Sequence, residues 1–231
     1  MSDKLREMED LAEIILSIHI GTAIVTVFAG TVSVIARKSQ FVHRTYGKMF
    51  LYSMIITALT AFMIMYFPGH ENIMMLLIGL FNLYLAVSGY RSLGYKTVFK
   101  KSDFKAIDKL ITMSMIFIGL VMAYQGSKML SEGDNWGLVL VIYSFIGFIN
   151  VFEDFRLYKT IQNRPFAWIK FHAAKMIGSY IGAMTAVFVT QLSGNSLGLV
   201  AWFIPCALGL GYIAYWTQKI KKEPQSIFEW N

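Results

Sequence analysis

The amino-acid sequence predicts an all-α polytopic membrane protein, a seven-transmembrane helix bundle with its N-terminus outside and its C-terminus cytoplasmic. Three observations carry that prediction. The chain of 231 residues is 56% hydrophobic and 15% charged, with a mean hydropathy of +0.53, whereas soluble domains carry about 25% charged residues. Seven apolar runs reach or approach the roughly 20 residues that a helix needs to cross a bilayer core of about 30 Å. The basic residues concentrate in alternate connections between those runs.

The first predicted helix runs from Leu11 to Ala36, after a polar tail, residues 1–10, that is more acidic than basic. Its length and its basic end at Arg37 and Lys38 argue against a cleaved signal peptide, so the helix is expected to stay. The second, Thr45 to Phe67, opens on "QFVHRTYGKMF", and the third, Asn72 to Leu93, follows the turn "FPGHEN". Ser102 with Asp103 offers an N-cap for the fourth, Ala106 to Gln125. The fifth spans Trp136 to Phe152. Pro165 suits the first turn of the sixth, which ends at Thr190, and "QLSGNSLG" leads into the seventh, Leu199 to Ile220. One transmembrane domain, 11–222, is thus expected, with residues 223–231 as a cytoplasmic tail and no soluble domain.

All but four of the 21 Lys and Arg residues fall at the first, third and fifth connections or in the C-terminal tail; the exceptions are Lys4, Arg6, Lys128 and Lys175. The positive-inside rule puts that side in the cytoplasm. A net charge of +7 is therefore read as topogenic, with the lipid bilayer and other membrane proteins as partners and no nucleic acid. Arg44 is accounted for as an anchor that snorkels to the headgroups. His43 is not, because a mostly neutral imidazole is a poor topogenic charge. Cys206 lies alone in an apolar run and reads as packing, as do the fourteen methionines.

Polar residues inside a bilayer are rare and face the bundle interior. On the first helix His19, Thr22, Thr26, Gly30, Ser33 and Arg37 form one stripe at steps of three or four. On the second, His43, Gly47, Phe50, Met54, Thr57 and Ala61 continue the pattern, and on the sixth His172, Lys175, Ser179 and Ala183 repeat it. The hydroxyls have a plain structural use as interhelical glue, about 0.6 kcal/mol per bond. Glu153, Asp154 and Lys175 are candidates for an ion or proton relay, or for a structural ion pair between helices five and six.

Depth sorts the histidines. At 1.5 Å per residue His19 lies about 27 Å from Arg37, in the outer half near the loop holding His70, while His43 and His172 both belong to the inner half. His19, His43 and His172 are the candidate cofactor ligands, His70 reading as an exposed loop residue. The sequence identifies no cofactor; a b-type haem and a divalent transition metal are the candidates, since imidazole suits both. No CxxCH, HxxxH or HExxH motif accompanies them.

"HIGTAIVTVFAG" from His19, "VHRTYGKMFLYSM" from Val42 and "FHAAKMIGSYIGAMTAVFV" from Phe171 resemble the blocks of a family of bacterial multi-pass predicted membrane proteins, a domain of unknown function. The resemblance maps onto His19, onto His43, Arg44 and Gly47, and onto His172 and Met176. It implies a polytopic bundle in the bacterial cytoplasmic (inner) membrane and no established activity. Basic and tryptophan residues expected after the late histidine are Ala173, Ala174 and Gly178 here, which argues against an anion or haem-propionate clamp supplied by that helix.

Three functional classes follow. The first is a membrane redox or cofactor-binding protein built on the histidines. The second is a proton- or ion-coupled transporter using Glu153, Asp154 and Lys175, although Pro205 in the seventh helix has no matching broken helix and no inverted repeat is visible. The third is an accessory or assembly subunit of a larger membrane complex. A hydrolase is the least supported, since neither a phosphate-cradling glycine loop nor a paired-carboxylate cleft is visible.

Overall fold

The computed structural model describes residues 3–36, 41–97, 104–164, 166–192 and 200–222, and among these it has seven long helices and two short 3₁₀ segments. The helices are α1 (Asp3–Ile35), α2 (Phe41–Ile64), α3 (Ile73–Arg91), α4 (Ala106–Ser131), α5 (Gly137–Thr160), α6 (Ala167–Leu192) and α7 (Val200–Lys222). Among the described residues there is no strand. By length and composition each of the seven can cross a membrane, which makes the chain a multi-pass membrane protein. Arg37, Lys38, Lys100, Lys101, Ser102, Asp103, Pro165 and the tail 223–231 lie outside the described residues.

Hydropathy marks where a helix leaves the lipid, not where it ends, and several helices run past their predicted limits. Helix α1 already begins at Asp3 within the polar tail, α4 continues beyond Gln125 to Ser131, and α5 continues beyond Phe152 to Thr160. Helix α4 starts where expected, with Lys105 at the N-cap, and the Asp108 carboxylate accepts from the Lys105 N–H at 3.0 Å. It stops at Gly133, whose φ of 84° is the left-handed geometry that glycine adopts without strain. The Asp134 N–H then reaches back to the Met129 carbonyl at 2.9 Å, closing the helix end. Asn72 caps α3 by accepting from the Met75 N–H at 3.0 Å. Helix α7 is continuous through Pro205.

The helices pack as three sequence-adjacent pairs, α1 with α2, α4 with α5 and α6 with α7, and α3 sits among them against α2, α4 and α6. More than half of the most apolar window of α3 is buried, 56%, against 17% for α1 and 11% for α7. Large exposed hydrophobics such as Ile24, Phe117, Leu120 and Phe145 cover the outside, whereas α3 contributes only Ile73 to that surface. This inverts the soluble pattern, as a lipid-facing exterior requires.

Small and hydroxylic residues decide which faces meet. Between α1 and α2, Thr57 Oγ1 donates to Thr22 Oγ1 at 2.9 Å and Thr26 Oγ1 donates to Ser53 Oγ at 2.8 Å. Between α3 and α6, Ser179 Oγ donates to the Asn82 carbonyl at 3.0 Å. A Cβ at Gly89 would lie 3.0 Å from Lys175 Cβ and 3.1 Å from the Met176 nitrogen, so glycine there lets the two helices cross closely. That crossing fixes the register of α6 and hence the position of His172.

Candidate functional site

Helix ends supply the first ingredient. The last four carbonyls of a helix have no partner within it, and two of them here are taken up by histidines. The Ser33 carbonyl, in the last turn of α1, lies 2.9 Å from His43 Nδ1, with Ser33 Oγ at 3.1 Å. The Gly89 carbonyl, in the last turn of α3, lies 3.0 Å from His172 Nδ1 and also accepts from Ser92 Oγ at 2.7 Å. A carbonyl only accepts, so each Nδ1 carries a proton, and in the neutral ring Nε2 then keeps the lone pair.

Helices α2 and α6 then bring the two rings together. The imidazoles of His43 and His172 are 6.3 Å apart between centroids and nearly perpendicular, at 87°. They come from segments 129 positions apart in sequence. Both line a cavity of about 560 Å³ at the basic end of the bundle. Its walls include Phe50, Tyr90, Trp168, Met176, Tyr180 and Trp216, and its rim carries Arg44, Lys48 and Lys96, all three exposed. Gly30 makes room for the wall, since a Cβ there would fall 2.5 Å from Tyr180 Cδ2 and 3.0 Å from Phe50 Cδ2. Tyr180 is further tied to α1 by its hydroxyl, 2.8 Å from Thr31 Oγ1. Gly47 and Met176, singled out in sequence together with the histidines, line the same space.

His19 lies elsewhere. Its Nδ1 is 3.0 Å from the Thr57 carbonyl and 3.2 Å from Thr60 Oγ1, toward the opposite end of the α1–α2 pair. Among the described residues no hydrogen bond or ring contact joins it to His70, and no group of three or more His, Cys, Asp or Glu side chains could hold a metal ion.

A second polar cluster is centred on Lys175, one turn along α6 from His172. Lys175 Nζ is ion-paired with Asp154, their side chains 4% and 5% exposed. Tyr84 donates to Asp154 Oδ2 at 2.6 Å, Thr112 donates to the same oxygen at 3.1 Å, and Lys175 Nζ donates to the Tyr84 hydroxyl at 3.0 Å. Four helices, α3 to α6, therefore meet at one carboxylate. The Thr112 hydroxyl is also 2.8 Å from that of Tyr158, which donates to the Asp108 carbonyl at 3.1 Å. The Asp108 carboxylate in turn accepts from Arg91 Nε at 2.5 Å and from the Tyr95 hydroxyl at 3.1 Å. Glu153 is not part of this cluster: it accepts from Arg156 Nη1 at 3.1 Å, with Arg156 exposed and Glu153 half-buried.

Sequence reasoning did not single out Tyr84 or Thr112 as partners of the pair, nor the aromatic cavity walls. Tyr84 sits in an apolar stretch of α3, and only its contacts with Asp154 and Lys175, 70 and 91 positions away, show its polar use. No family model, curated protein or solved structure matches the chain.

Proposed function

We propose that this chain is a bacterial inner-membrane protein that binds one b-type haem between His43 and His172, in the half of the bundle facing the cytoplasm. The observation that carries the reading is the convergence of the two imidazoles over a large cavity. His43 and His172 would hold the haem iron between them, and their 6.3 Å centroid separation would leave room for metal–nitrogen bonds of about 2 Å. The Nδ1–H bonds to the Ser33 and Gly89 carbonyls are the outer-shell contacts that orient a ligating histidine and fix its tautomer.

Two imidazoles are too few to hold a divalent ion in a closed protein site, which takes four ligands. A porphyrin brings four nitrogens of its own and needs only the two axial positions. The cavity volume supports the same choice, because about 560 Å³ lies within the ~300–1,000 Å³ typical of sites for small organic ligands. Both axial positions being taken by protein, the site suits electron transfer better than binding of a gaseous ligand. The basic residues around its mouth favour the cytoplasmic side for this end.

The purified apoprotein titrated with ferric haem in neutral detergent tests the reading. A one-to-one complex with the Soret and split visible bands of a six-coordinate, low-spin bis-histidine haem is expected on reduction. Only the featureless spectrum of free haem in micelles would refute it.

One observation favours a second reading, a proton relay at the Asp154–Lys175 pair. Lys175 also lines a cavity of about 520 Å³ together with Glu153, Arg164 and Lys170, which sets further titratable groups near one member of the buried pair. Proton flux in proteoliposomes that disappears in Lys175→Met would support it.

A further inference from the structure

We propose that Arg44, Lys48 and Lys96 clamp the two propionates of the bound haem and so fix its orientation, with the acidic edge at the cavity mouth and the apolar edge among Phe50, Met176 and Tyr180. The inference rests on the haem reading. It relocates the anion clamp that α6, with Ala173 and Ala174 after His172, does not supply.

Arg44 and Lys48 are one helical turn apart, so they share a face of α2, and both line the cavity together with His43. Lys96 reaches the mouth from the 3₁₀ segment Ser92–Thr97 that follows α3. Three positive side chains thus surround the opening, and among the described residues that line the cavity none is acidic. These described groups favour an anion over a free divalent cation, while the walls behind them are apolar and aromatic. An amphipathic dianion with a flat apolar body matches both properties. The carboxylates would stay near the membrane interface, where exposed arginine and lysine side chains already lie, so neither partner is fully desolvated. Headgroup anchoring explains Arg44 and Lys48 on a helix end but not their convergence with Lys96 around a cavity.

The test compares two probes in neutral detergent, ferric protoporphyrin IX and its dimethyl ester, which has the same iron and macrocycle but no carboxylates. Dissociation constants are read from the six-coordinate band of the full-length apoprotein. The free acid is expected to bind roughly 10- to 100-fold more tightly than the ester, the range that charge-assisted hydrogen bonds provide. In the Arg44→Gln/Lys48→Gln/Lys96→Gln variant the free acid should fall to the ester's affinity while the ester's own affinity stays unchanged. Unchanged ester binding also shows that the variant is folded around an intact pair of histidines. Equal binding of acid and ester by the unaltered protein, or equal loss of both in the variant, overturns the clamp and leaves the haem site standing. Absence of a six-coordinate band with either probe overturns the haem reading and the clamp together.

Discussion

His172→Ala is expected to weaken haem binding at least 100-fold and to leave a five-coordinate, high-spin spectrum in whatever complex forms. Loss of an outer-shell partner typically costs 10–100-fold, and removal of an axial ligand should cost no less. His43→Ala should give the same spectral change, because the two imidazoles face a single cavity. His19→Ala should leave the spectrum untouched, since that ring is engaged by Thr57 and Thr60 on another part of the α1–α2 interface. Added imidazole gives the folding control. It should enter the space left in His172→Ala and restore the six-coordinate band. A variant that merely misfolds would not respond, and a band that survives both histidine substitutions would rule out their role as ligands.

Asp154→Ala is expected to cost about 3–5 kcal/mol of stability, as removal of one partner of a buried ion pair does elsewhere. The reason is specific to this cluster. Lys175 is 4% exposed, and without the carboxylate its ammonium keeps only the Tyr84 hydroxyl as a described acceptor. Replacing both charges, in Asp154→Leu/Lys175→Met, should recover most of the loss, because the desolvation cost of the two ions is then removed along with their attraction. Unfolding in mixed detergent and dodecyl sulfate micelles measures all three proteins. A double variant as unstable as the single one would mean that the pair contributes net stability. The same double variant separates the two uses of the cluster, since a purely structural pair can be replaced without loss of haem binding or proton flux, and a relay cannot.

Much of the architecture was legible because lipid imposes a simple rule: each crossing must be a long apolar helix with its backbone paired internally. All seven runs found in sequence are helices. Depth along a helix was legible too, since rise per residue is fixed, and it grouped His43 with His172 and apart from His19. Azimuth was harder to read. Glu153 and Asp154 are neighbours in sequence, yet a helix turns about 100° between them, so one faces outward to Arg156 and the other inward to Lys175. On α2 the expected stripe holds Thr57, which bonds Thr22 and meets His19, but Ser53 and Thr60, which also reach α1, lie one position off it at Met54 and Ala61. That helix is packed on both α1 and α3, so it has two buried faces, and a single stripe describes neither fully.

Partners far apart in sequence were not legible at all. Tyr84 and Thr112 become polar ligands of Asp154 only because α3, α4 and α5 meet at one level. The carbonyls that hold the two histidines are equally hidden, since a sequence shows no backbone acceptor. Their use follows from where α1 and α3 stop, and helix ends are the part of a membrane helix that hydropathy locates least well.

Low-temperature electron paramagnetic resonance of the ferric complex tests the central claim most directly, because it reports both the identity of the axial ligands and their relative orientation. Perpendicular imidazole planes leave the two iron dπ orbitals nearly degenerate, so orbital angular momentum is poorly quenched. The 87° angle between His43 and His172 therefore predicts a highly anisotropic low-spin signal, lost in either alanine variant. A high-spin signal from the unaltered complex, or a rhombic low-spin signal of the kind given by parallel imidazoles, would contradict the site described above.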